Sequence, residues 1–253
     1  MKYNWKSLTL MSALIFTPLF PSFAQEKAPV DPAGAATERT INFARSHQEF
    51  KNLFFKEHEA EFVRLVKEGQ SPKTLFIGCS DSRVVPELIS SSTPGQIFVI
   101  RTAGNFVPYN DPTILWDGVA ATIQYAVEVL GVKDIIVCGH SDCGAIQGLF
   151  KDIKLDTLAH WLRFGHEAKQ STLEALGKNV SDSIKYDVAE HISVLYQLDH
   201  LLTYPYVKEK VSQDKIFLHG WHYTIDTGAI DYYDPAVGKF VPLARLLENA
   251  NAK

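Results

Sequence analysis

The fold is decided by residues 135–144, which read Ile-Ile-Val-Cys-Gly-His-Ser-Asp-Cys-Gly. The apolar start of this stretch has no polar alternation, and such a run predicts a strand buried on both faces, as in a parallel sheet. Two similar runs precede it, Leu75–Ile77 and Ile97–Ile100, and a helical pattern from Trp116 to Leu130 separates the second run from the third. This alternation predicts an α/β fold with a central, mostly parallel β-sheet flanked by helices.

Helical and strand patterns also flank these runs. From Thr37 to Gly69, apolar residues recur three and four positions apart, which predicts an N-terminal helical arm of one or two amphipathic helices. Downstream, the sequence predicts helices near Asp156–Leu176 and Ser181–Leu202, a C-terminal hairpin of Lys215–Tyr223 and Ala229–Asp234 around the turn Asp226-Thr227-Gly228, and a last helix over Pro242–Asn249.

The first 24 residues have the three parts of a secretory signal peptide. Lys2 and Lys6 give a positive start, residues 8–20 are apolar, and small residues up to Ala24 predict cleavage before Gln25. The apolar run is too short to span the ~30 Å hydrocarbon core, although a retained anchor is the alternative. We therefore expect a signal peptide over 1–24, a flexible leader over 25–36 and one domain over 37–253. The mature protein would be periplasmic or secreted and would keep no stable membrane anchor.

Composition excludes several classes of function. The chain has 253 residues, of which 46% are hydrophobic and 21% charged, and this excludes disorder for most of its length. With 25 Lys and Arg against 29 Asp and Glu, the net charge of −4 shows no basic excess, so no nucleic-acid partner is expected. Three cysteines cannot all pair, which excludes a closed disulfide framework.

Residues able to bind a metal follow two of the predicted strands. Residues 79–83 (Cys-Ser-Asp-Ser-Arg) come directly after the first strand, and residues 140–144 (His-Ser-Asp-Cys-Gly) follow the third. If these strands are neighbours, their carboxyl ends bring Cys79, His140 and Cys143 together at the edge where α/β sheets bind ligands. A Cys₂His set suits Zn²⁺, and three protein ligands leave the fourth position that a catalytic site keeps open.

Spacing alone leaves other interpretations of these residues open. A lone cysteine after a strand is often a small buried hydrophobe, and a Cys–His pair could be a nucleophile with its base. Cys138 and Cys143 could form a disulfide in an exported protein, although Cys138 is expected to be buried and free. Gly144, where a helix begins, would let the backbone approach an ion and is a suitable place for an anion.

Together with residues 98–105 (Phe-Val-Ile-Arg-Thr-Ala-Gly-Asn), the two motifs resemble those of the β-class carbonic anhydrases, over residues 37–234. The resemblance implies one Zn²⁺ per subunit bound by Cys79, His140 and Cys143, with Asp81 and Arg83 as a catalytic dyad. It also implies reversible hydration of CO₂ to bicarbonate by a zinc-bound hydroxide, since zinc lowers the pKa of bound water from 15.7 to about 7. The family forms homodimers or multiples of dimers whose N-terminal helices pack on the neighbouring subunit.

The resemblance also separates two branches of the family. One branch closes its site by moving the aspartate onto zinc, and it carries a tryptophan where this chain has Phe76, although Val84 and Arg101 match that branch. The plant-like branch keeps its site open and carries a glutamine nine residues before the first zinc cysteine, which corresponds to Gln70. We therefore expect an open site with these substrate contacts, some of them in the partner's site: Gln70, Phe98, Ala103, Tyr125 and Gly144.

Two positions depart from the plant-like pattern, and two rival functions share its features. Ala103 replaces a valine, which predicts a roomier pocket, and Val129 replaces a histidine proposed to shuttle protons.

One rival function is hydrolysis of CS₂ or COS on the same scaffold, and the other is that of a zinc-binding or assembly protein with an inactive site. The intact pair of Asp81 and Arg83 argues against the second rival.

Overall fold

The computed structural model describes residues 35–114, 117–177 and 180–251. The predicted signal peptide over 1–24 lies outside the described residues, as does all of the predicted leader except Ala35 and Ala36, which begin a helix. Contacts divide the chain into two compact units, the first ending at His58 and the second beginning at Glu59. The boundary predicted at residue 37 stays a prediction.

The described part of the first unit is helical. Helix α1 (Ala35–Phe50) continues into a π-helical turn over Lys51–Phe55. Phe54 and His58 stack with their ring centroids 4.2 Å apart, while Phe43 leaves 75% of its surface exposed. The predicted N-terminal helical region is confirmed, and it carries large apolar side chains on its surface.

The described residues of the second unit form helices around one six-stranded sheet. The strands are β1 (Thr74–Cys79), β2 (Ile97–Thr102), β3 (Asp134–His140), β4 (Phe217–Thr224), β5 (Ala229–Asp234) and β6 (Lys239–Pro242). The helices are α2 (Glu59–Glu68), α3 (Pro86–Ile89), α4 (Gly118–Gln124), α5 (Gly144–Leu149), α6 (Asp156–Leu162), α7 (His166–Leu176), α8 (Asp182–Leu201), α9 (Pro205–Ser212) and α10 (Arg245–Asn251). Within the described part of the chain, no helix combines the length and apolar character needed to cross a membrane.

The strand order of the sheet is β2-β1-β3-β4-β5-β6. The first four strands are parallel, whereas β4, β5 and β6 form antiparallel pairs. Gly78 of β1 lies opposite Cys138 of β3, so these two strands are direct neighbours. The first and third strands are thus adjacent, which is the condition for the predicted metal cluster, and their adjacency places the loops that follow them at one edge of the sheet.

Both faces of the central strands are buried, as their unbroken apolar runs predict. Leu75 and Ile77 lie on one face, in a cluster with side chains of α4, α8 and α9. Phe76, between them in sequence, lies in a second cluster with Ile136 and Cys138. Each of these side chains stabilises the fold by about 1.5–3 kcal/mol when it is fully buried, which makes the central strands a rigid base for their loops.

Two predicted helices have different boundaries in the structure. The helix predicted over Asp156–Leu176 is interrupted by a 3₁₀ turn at Arg163–Gly165, where a Cβ on Gly165 would lie 2.6 Å from Phe106 Cζ. Tight packing at this glycine accompanies the break, and amphipathic periodicity does not reveal it. The helix predicted over Trp116–Leu130 is described from Gly118, is capped by Asp117, and is π-helical in its last six residues.

The C-terminal segment is the main correction to the predicted fold. The helix predicted over Pro242–Asn249 is wrong at its start, because residues 239–242 form β6 and α10 begins only at Arg245. β6 pairs with β5, Pro242 opposite Asp231, and extends the predicted hairpin to three strands. Proline is tolerated there because β6 is an edge strand. A four-residue strand has too little periodicity to be recognised in a sequence, and helix α9 was also not predicted.

Candidate metal centre

The two predicted loops bring three potential metal ligands together. Cys79 ends β1, His140 ends β3, and Cys143 directly precedes α5. One ligand atom from each residue lies within 4.8 Å of the others, and the three residues are 5%, 0% and 1% exposed. Two sulfurs and one imidazole nitrogen are donors that suit zinc by softness and geometry. This cluster could hold a metal ion.

Backbone N–H groups and the second thiol stabilise a thiolate at Cys79. The amides of Asp81 and Gly104 donate to Cys79 Sγ over 3.4 and 3.3 Å. A hydrogen bond from the Cys143 thiol lowers the pKa of Cys79, against the opposing effect of burial. The same contact, together with burial, raises the pKa of Cys143. A charged sulfur in this position is the form that binds metal ions.

His140 shows how the cluster fits a metal. Its Nδ1 lies 2.8 Å from the carbonyl oxygen of Ser141, which can only accept, so Nδ1 carries the proton in this contact. Its Nε2 is buried and has no hydrogen-bond partner among the described residues. A buried nitrogen with a free lone pair beside two thiols is the arrangement expected when a cation completes the site.

Asp81 and Arg83 form a tight pair beside the cluster. Asp81 Oδ1 accepts from the backbone N–H and from Nε of Arg83, each over 2.9 Å, and Oδ2 accepts from Nη2 over 2.8 Å. These hydrogen bonds hold the pKa of Asp81 well below its usual range. Arg83 Nη2 also donates to the carbonyl oxygen of Asp142 over 3.2 Å, which joins the two loops.

Arg101 fixes the loop that carries Asp81. Its Nε donates to the carbonyl oxygen of Cys79 over 2.9 Å, and its Nη2 donates to the carbonyl oxygen of Asp81 over 2.6 Å. The sequence comparison with the closing branch singled out Arg101, but its role in holding this backbone was not predicted. Glu190 was missed entirely, and its Oε1 accepts from the N–H of Cys143 over 2.9 Å. No sequence pattern connects Glu190 with a residue 47 positions away.

The cysteines settle one of the open alternatives. All three are free and buried, so the alternative of a Cys138–Cys143 disulfide is wrong. Cys138 is fully buried, as expected, and burial raises the pKa of its thiol to about 12. A nucleophilic Cys–His pair needs only one thiol, whereas the cluster contains two, so the donor set favours metal binding.

The structure brings two of the five predicted substrate contacts together. Phe98 and Tyr125 have ring centroids 5.8 Å apart, and Tyr125 is 44% exposed. Gln70 is an exposed residue of the loop between α2 and β1. Among the described residues, no hydrogen bond joins any of these three to the cysteine cluster. Their role in binding substrate stays a prediction, as does their expected place in the site of a partner subunit.

The other two predicted contacts adjoin the cluster in sequence or in space. Ala103 lines a cleft of about 870 Å³ that also includes Ser80, and its carbonyl oxygen accepts from the indole N–H of Trp161 over 2.8 Å. Gly144 follows Cys143 and begins α5. A Cβ on Gly144 would meet nothing within 4 Å, so packing within the described chain does not require glycine there. Its predicted contact with an ion or anion stays a prediction.

Comparison with known proteins identifies the family. The sequence profile described as carbonic anhydrase matches residues 74–230. The solved structure of the β-carbonic anhydrase CcaA is 36% identical, with a TM-score of 0.75, and the match covers 81% of this chain and 92% of that one. The chain belongs to the β-class carbonic anhydrases.

Curated relatives agree with this assignment. A carbonic anhydrase of Pseudomonas aeruginosa is 46% identical over 188 residues, which cover 73% of this chain and 84% of that protein. Carbonic anhydrase 1 of Escherichia coli O157:H7 is 41% identical over 198 residues, covering 77% of this chain and 88% of that protein. The protein is therefore a carbonic anhydrase, an enzyme that interconverts CO₂ and bicarbonate. The predicted α/β fold and the predicted enzyme class are both confirmed.

Proposed function

We propose that this carbonic anhydrase hydrates CO₂ reversibly at one Zn²⁺ per subunit, bound by Cys79, His140 and Cys143. The observation that carries the proposal is the buried, unpartnered Nε2 of His140, which lies in one cluster with two cysteine sulfurs. Three ligands leave the fourth tetrahedral position for water, as in other catalytic zinc sites. When bound, the zinc ion acts as a Lewis acid that lowers the pKa of a coordinated water from 15.7 to about 7.

Asp81 and Arg83 would orient the reacting groups. Because Arg83 binds both carboxylate oxygens, Asp81 stays ionised and can only accept hydrogen bonds. An acceptor held in one position can take a hydrogen bond from the attacking nucleophile and turn the nucleophile's lone pair toward CO₂. The amides of Asp81 and Gly104 donate to Cys79 Sγ and keep negative charge on that sulfur.

We place this enzyme in the branch with an open site, with Gln70, Phe98, Ala103, Tyr125 and Gly144 in contact with substrate. The arrangement of Asp81 supports this proposal, since both of its carboxylate oxygens are bound by Arg83 rather than turned toward the cysteines. An open site predicts a gradual dependence of activity on pH. A steep loss of CO₂ hydration below pH ~8 would instead indicate the branch in which the aspartate moves onto the metal.

Stopped-flow CO₂ hydration combined with metal analysis tests the proposed site. Cys143→Ala should lose both zinc and activity, because it removes one of three ligands. Asp81→Asn should keep one zinc per subunit but hydrate CO₂ at least about 100-fold more slowly, since it loses the charged acceptor. Full activity of Asp81→Asn would contradict the mechanism, and wild-type protein that binds zinc but turns over CS₂ rather than CO₂ would support the hydrolase alternative.

The proposed assembly is a homodimer or a multiple of dimers. The solved structures of two β-carbonic anhydrases from Sordaria macrospora are described as tetrameric, and one is 27% identical to this chain, with a TM-score of 0.67 and coverage of 80% of this chain and 99% of that one. Exposed apolar residues of the N-terminal helical region support a subunit contact there, including Phe43 and Leu53, which is 70% exposed. Sedimentation velocity should give an even number of subunits, and a stable monomer with full activity would contradict the proposal.

The proposed location is the periplasm or the extracellular medium. The support is the predicted signal peptide over 1–24, which lies outside the described residues. Expression with the native N-terminus, followed by cell fractionation and N-terminal sequencing, should give a mature chain that begins at Gln25. An intact chain recovered from the cytoplasm would contradict export.

A further inference from the structure

Glu190 is an unusually buried carboxylate close to the metal cluster. It lies on α8 and is 3% exposed. Glutamate is almost never fully buried unless it is paired, because removing a carboxylate from water is costly. Its presence in the interior therefore calls for partners that stabilise it.

The two oxygens of Glu190 face different groups. Oε1 accepts from the backbone N–H of Cys143 over 2.9 Å. Oε2 lies 3.5 Å from Nε2 of His222, whose side chain is 2% exposed. Both ring nitrogens of His222 have no hydrogen-bond partner among the described residues. Among the described residues, the amide N–H of Cys143 is thus the group that makes a hydrogen bond to the carboxyl group of Glu190.

The backbone that Glu190 contacts adopts an uncommon conformation. Asp142 has φ 56°, in the left-handed region, which aspartate enters more readily than most residues other than glycine. This conformation turns the chain sharply between His140 and Cys143, so that both ligands point to one place. The hydrogen bond from the Cys143 amide to Glu190 is one contact that holds this turn.

Two glycines allow α8 to approach the sheet at this point. A Cβ on Gly139 would lie 2.7 Å from Val194 Cγ2, and a Cβ on Gly220 would lie 3.0 Å from Val194 Cγ1. Because β3 and β4 lack side chains at these positions, α8 packs close enough for Glu190 to reach Cys143. His140, one of the proposed metal ligands, directly follows Gly139 in the sequence. Adjacent residues therefore provide a ligand and the space into which α8 packs.

We propose that Glu190 is a positioning residue of the metal centre: its carboxylate holds the amide of Cys143 and thereby fixes the Cys143 thiol for metal binding. The proposal rests on zinc occupancy of the cluster of Cys79, His140 and Cys143. Groups that orient metal ligands from outside typically change metal affinity by about 10–100-fold when they are removed. The effect should appear in metal binding itself, before any measurement of activity.

Two substitutions separate the hydrogen bond from the charge. Glu190→Asp keeps the charge but withdraws the acceptor by one methylene group, and it should weaken zinc binding about 10–100-fold. Glu190→Gln keeps an acceptor oxygen and the volume, and its amide could donate to His222, so it should bind zinc within about threefold of wild type. Zinc affinity is measured by competition with a chromophoric chelator.

Gln197 on the same helix provides a matched control. It is fully buried, and its Oε1 accepts from the backbone N–H of Val107 over 2.7 Å, away from the cluster. Gln197→Asn withdraws this acceptor by one methylene, as Glu190→Asp does. Gln197→Asn should lower Tm to a similar degree as Glu190→Asp but leave zinc affinity unchanged. In the cobalt-substituted protein, Glu190→Asp should shift the cysteine-to-cobalt absorption bands, whereas Gln197→Asn should not.

Several results would overturn the proposal. The proposal is wrong if Glu190→Asp binds zinc as tightly as wild type. It is also wrong if Glu190→Gln or Gln197→Asn loses as much zinc affinity as Glu190→Asp does. If Glu190→Asp does not fold, hydrogen exchange in wild type tests the same contact, since the Cys143 amide should exchange slowly and rapid exchange would contradict the hydrogen bond. Wild-type protein that binds no zinc would refute the proposed function, whereas failure of the Glu190 variants alone refutes only this inference.

Discussion

Asp81 shows at the scale of a residue how one side chain is held in a single orientation. Arg83 is two positions further along the chain and donates from its backbone and from two side-chain nitrogens. The guanidinium group matches both carboxylate oxygens at once, which a lysine ammonium group cannot do. Because the side chain of Arg83 is exposed, solvent screens this ion pair and it contributes little to stability. Its main effect is to fix the orientation of Asp81.

Substitution of Arg83 by lysine tests this orientation. Arg83→Lys keeps the positive charge but loses the bidentate contact, so Asp81 is free to rotate, and kcat/KM for CO₂ should fall about 10–100-fold with zinc content unchanged. Arg64→Lys is the control, because Arg64 makes similar contacts with Glu61 and Glu68 on the exposed surface of α2. Stopped-flow measurement of CO₂ hydration by Arg83→Lys, Arg64→Lys and wild type tests this prediction. Equal rates for Arg83→Lys and wild type would show that charge alone suffices.

At the scale of elements, the site depends on how strands and helices meet. The neighbouring ends of β1 and β3 supply Cys79 and His140, two of the proposed metal ligands, and α8 packs against β3 and β4. Gly139 and Gly220 make that packing possible, since a Cβ at these positions would lie 2.7 Å and 3.0 Å from the side chain of Val194. The sheet and α8 therefore determine the position of Glu190, and through it the position of the Cys143 loop.

Gly139→Ala tests the contact between α8 and the sheet. The added methyl group would lie 2.7 Å from Val194 Cγ2, so the Val194 side chain or α8 must move, and the free energy of unfolding should fall by about 1–3 kcal/mol. Gly118→Ala is the control, because a Cβ there meets nothing within 4 Å, and its effect should stay within about 0.5 kcal/mol. Urea denaturation measures both changes. Restoration of stability in Gly139→Ala/Val194→Ala would identify the clash as the cause, and equal stability of the two single variants would refute it.

At the scale of the whole molecule, a polar cluster ties distant segments together. Glu167 of α7 accepts from the hydroxyl of Tyr109, which lies in the loop after β2, and its Oε2 is 2.9 Å from Nε2 of His200 on α8. His200 Nδ1 lies 2.7 Å from the carbonyl oxygen of Val107. Burial would raise the pKa of Glu167, but the hydrogen bonds from Tyr109 and His200 outweigh it, and the pKa is lowered from 4.5.

This lowered pKa predicts how stability depends on pH. A carboxylate whose pKa is lower in the folded state stabilises the fold above its unfolded value of 4.5, and this contribution is lost as the pH falls through the folded value. Glu167→Gln lacks the contribution, so its Tm should lie furthest below that of wild type above pH 4.5, and the two should converge at lower pH. Calorimetry between pH ~3 and ~6 measures the difference.

Glu174→Gln is the control for this prediction. Glu174 is exposed on the same helix, so its substitution should change Tm little. A gap between wild type and Glu167→Gln that stays constant as the pH falls would show that Glu167 does not stabilise the protein as a carboxylate.

Much of the fold was predictable because the signals for it are local. Buried strands such as Leu75–Ile77 show as unbroken apolar runs, and Asp226-Thr227-Gly228 marks the turn of the hairpin. The short edge strand β6 and the break before α7 were not predictable. The first depends on pairing with β5 and the second on close packing at Gly165, and neither leaves a periodic pattern in the chain.

The candidate metal cluster was likewise predictable from the sequence only in part. By itself the sequence determined which donors are present and that Cys79 and His140 end buried strands, because residue type and apolar runs are properties of adjacent positions; that the two strands are neighbours came from the structure. Only the tertiary structure decided that Arg101 holds the first loop and that Glu190 holds the second. Those contacts join residues far apart in the chain, and they form only when helix α8 and strand β2 have packed against the strands that carry the ligands.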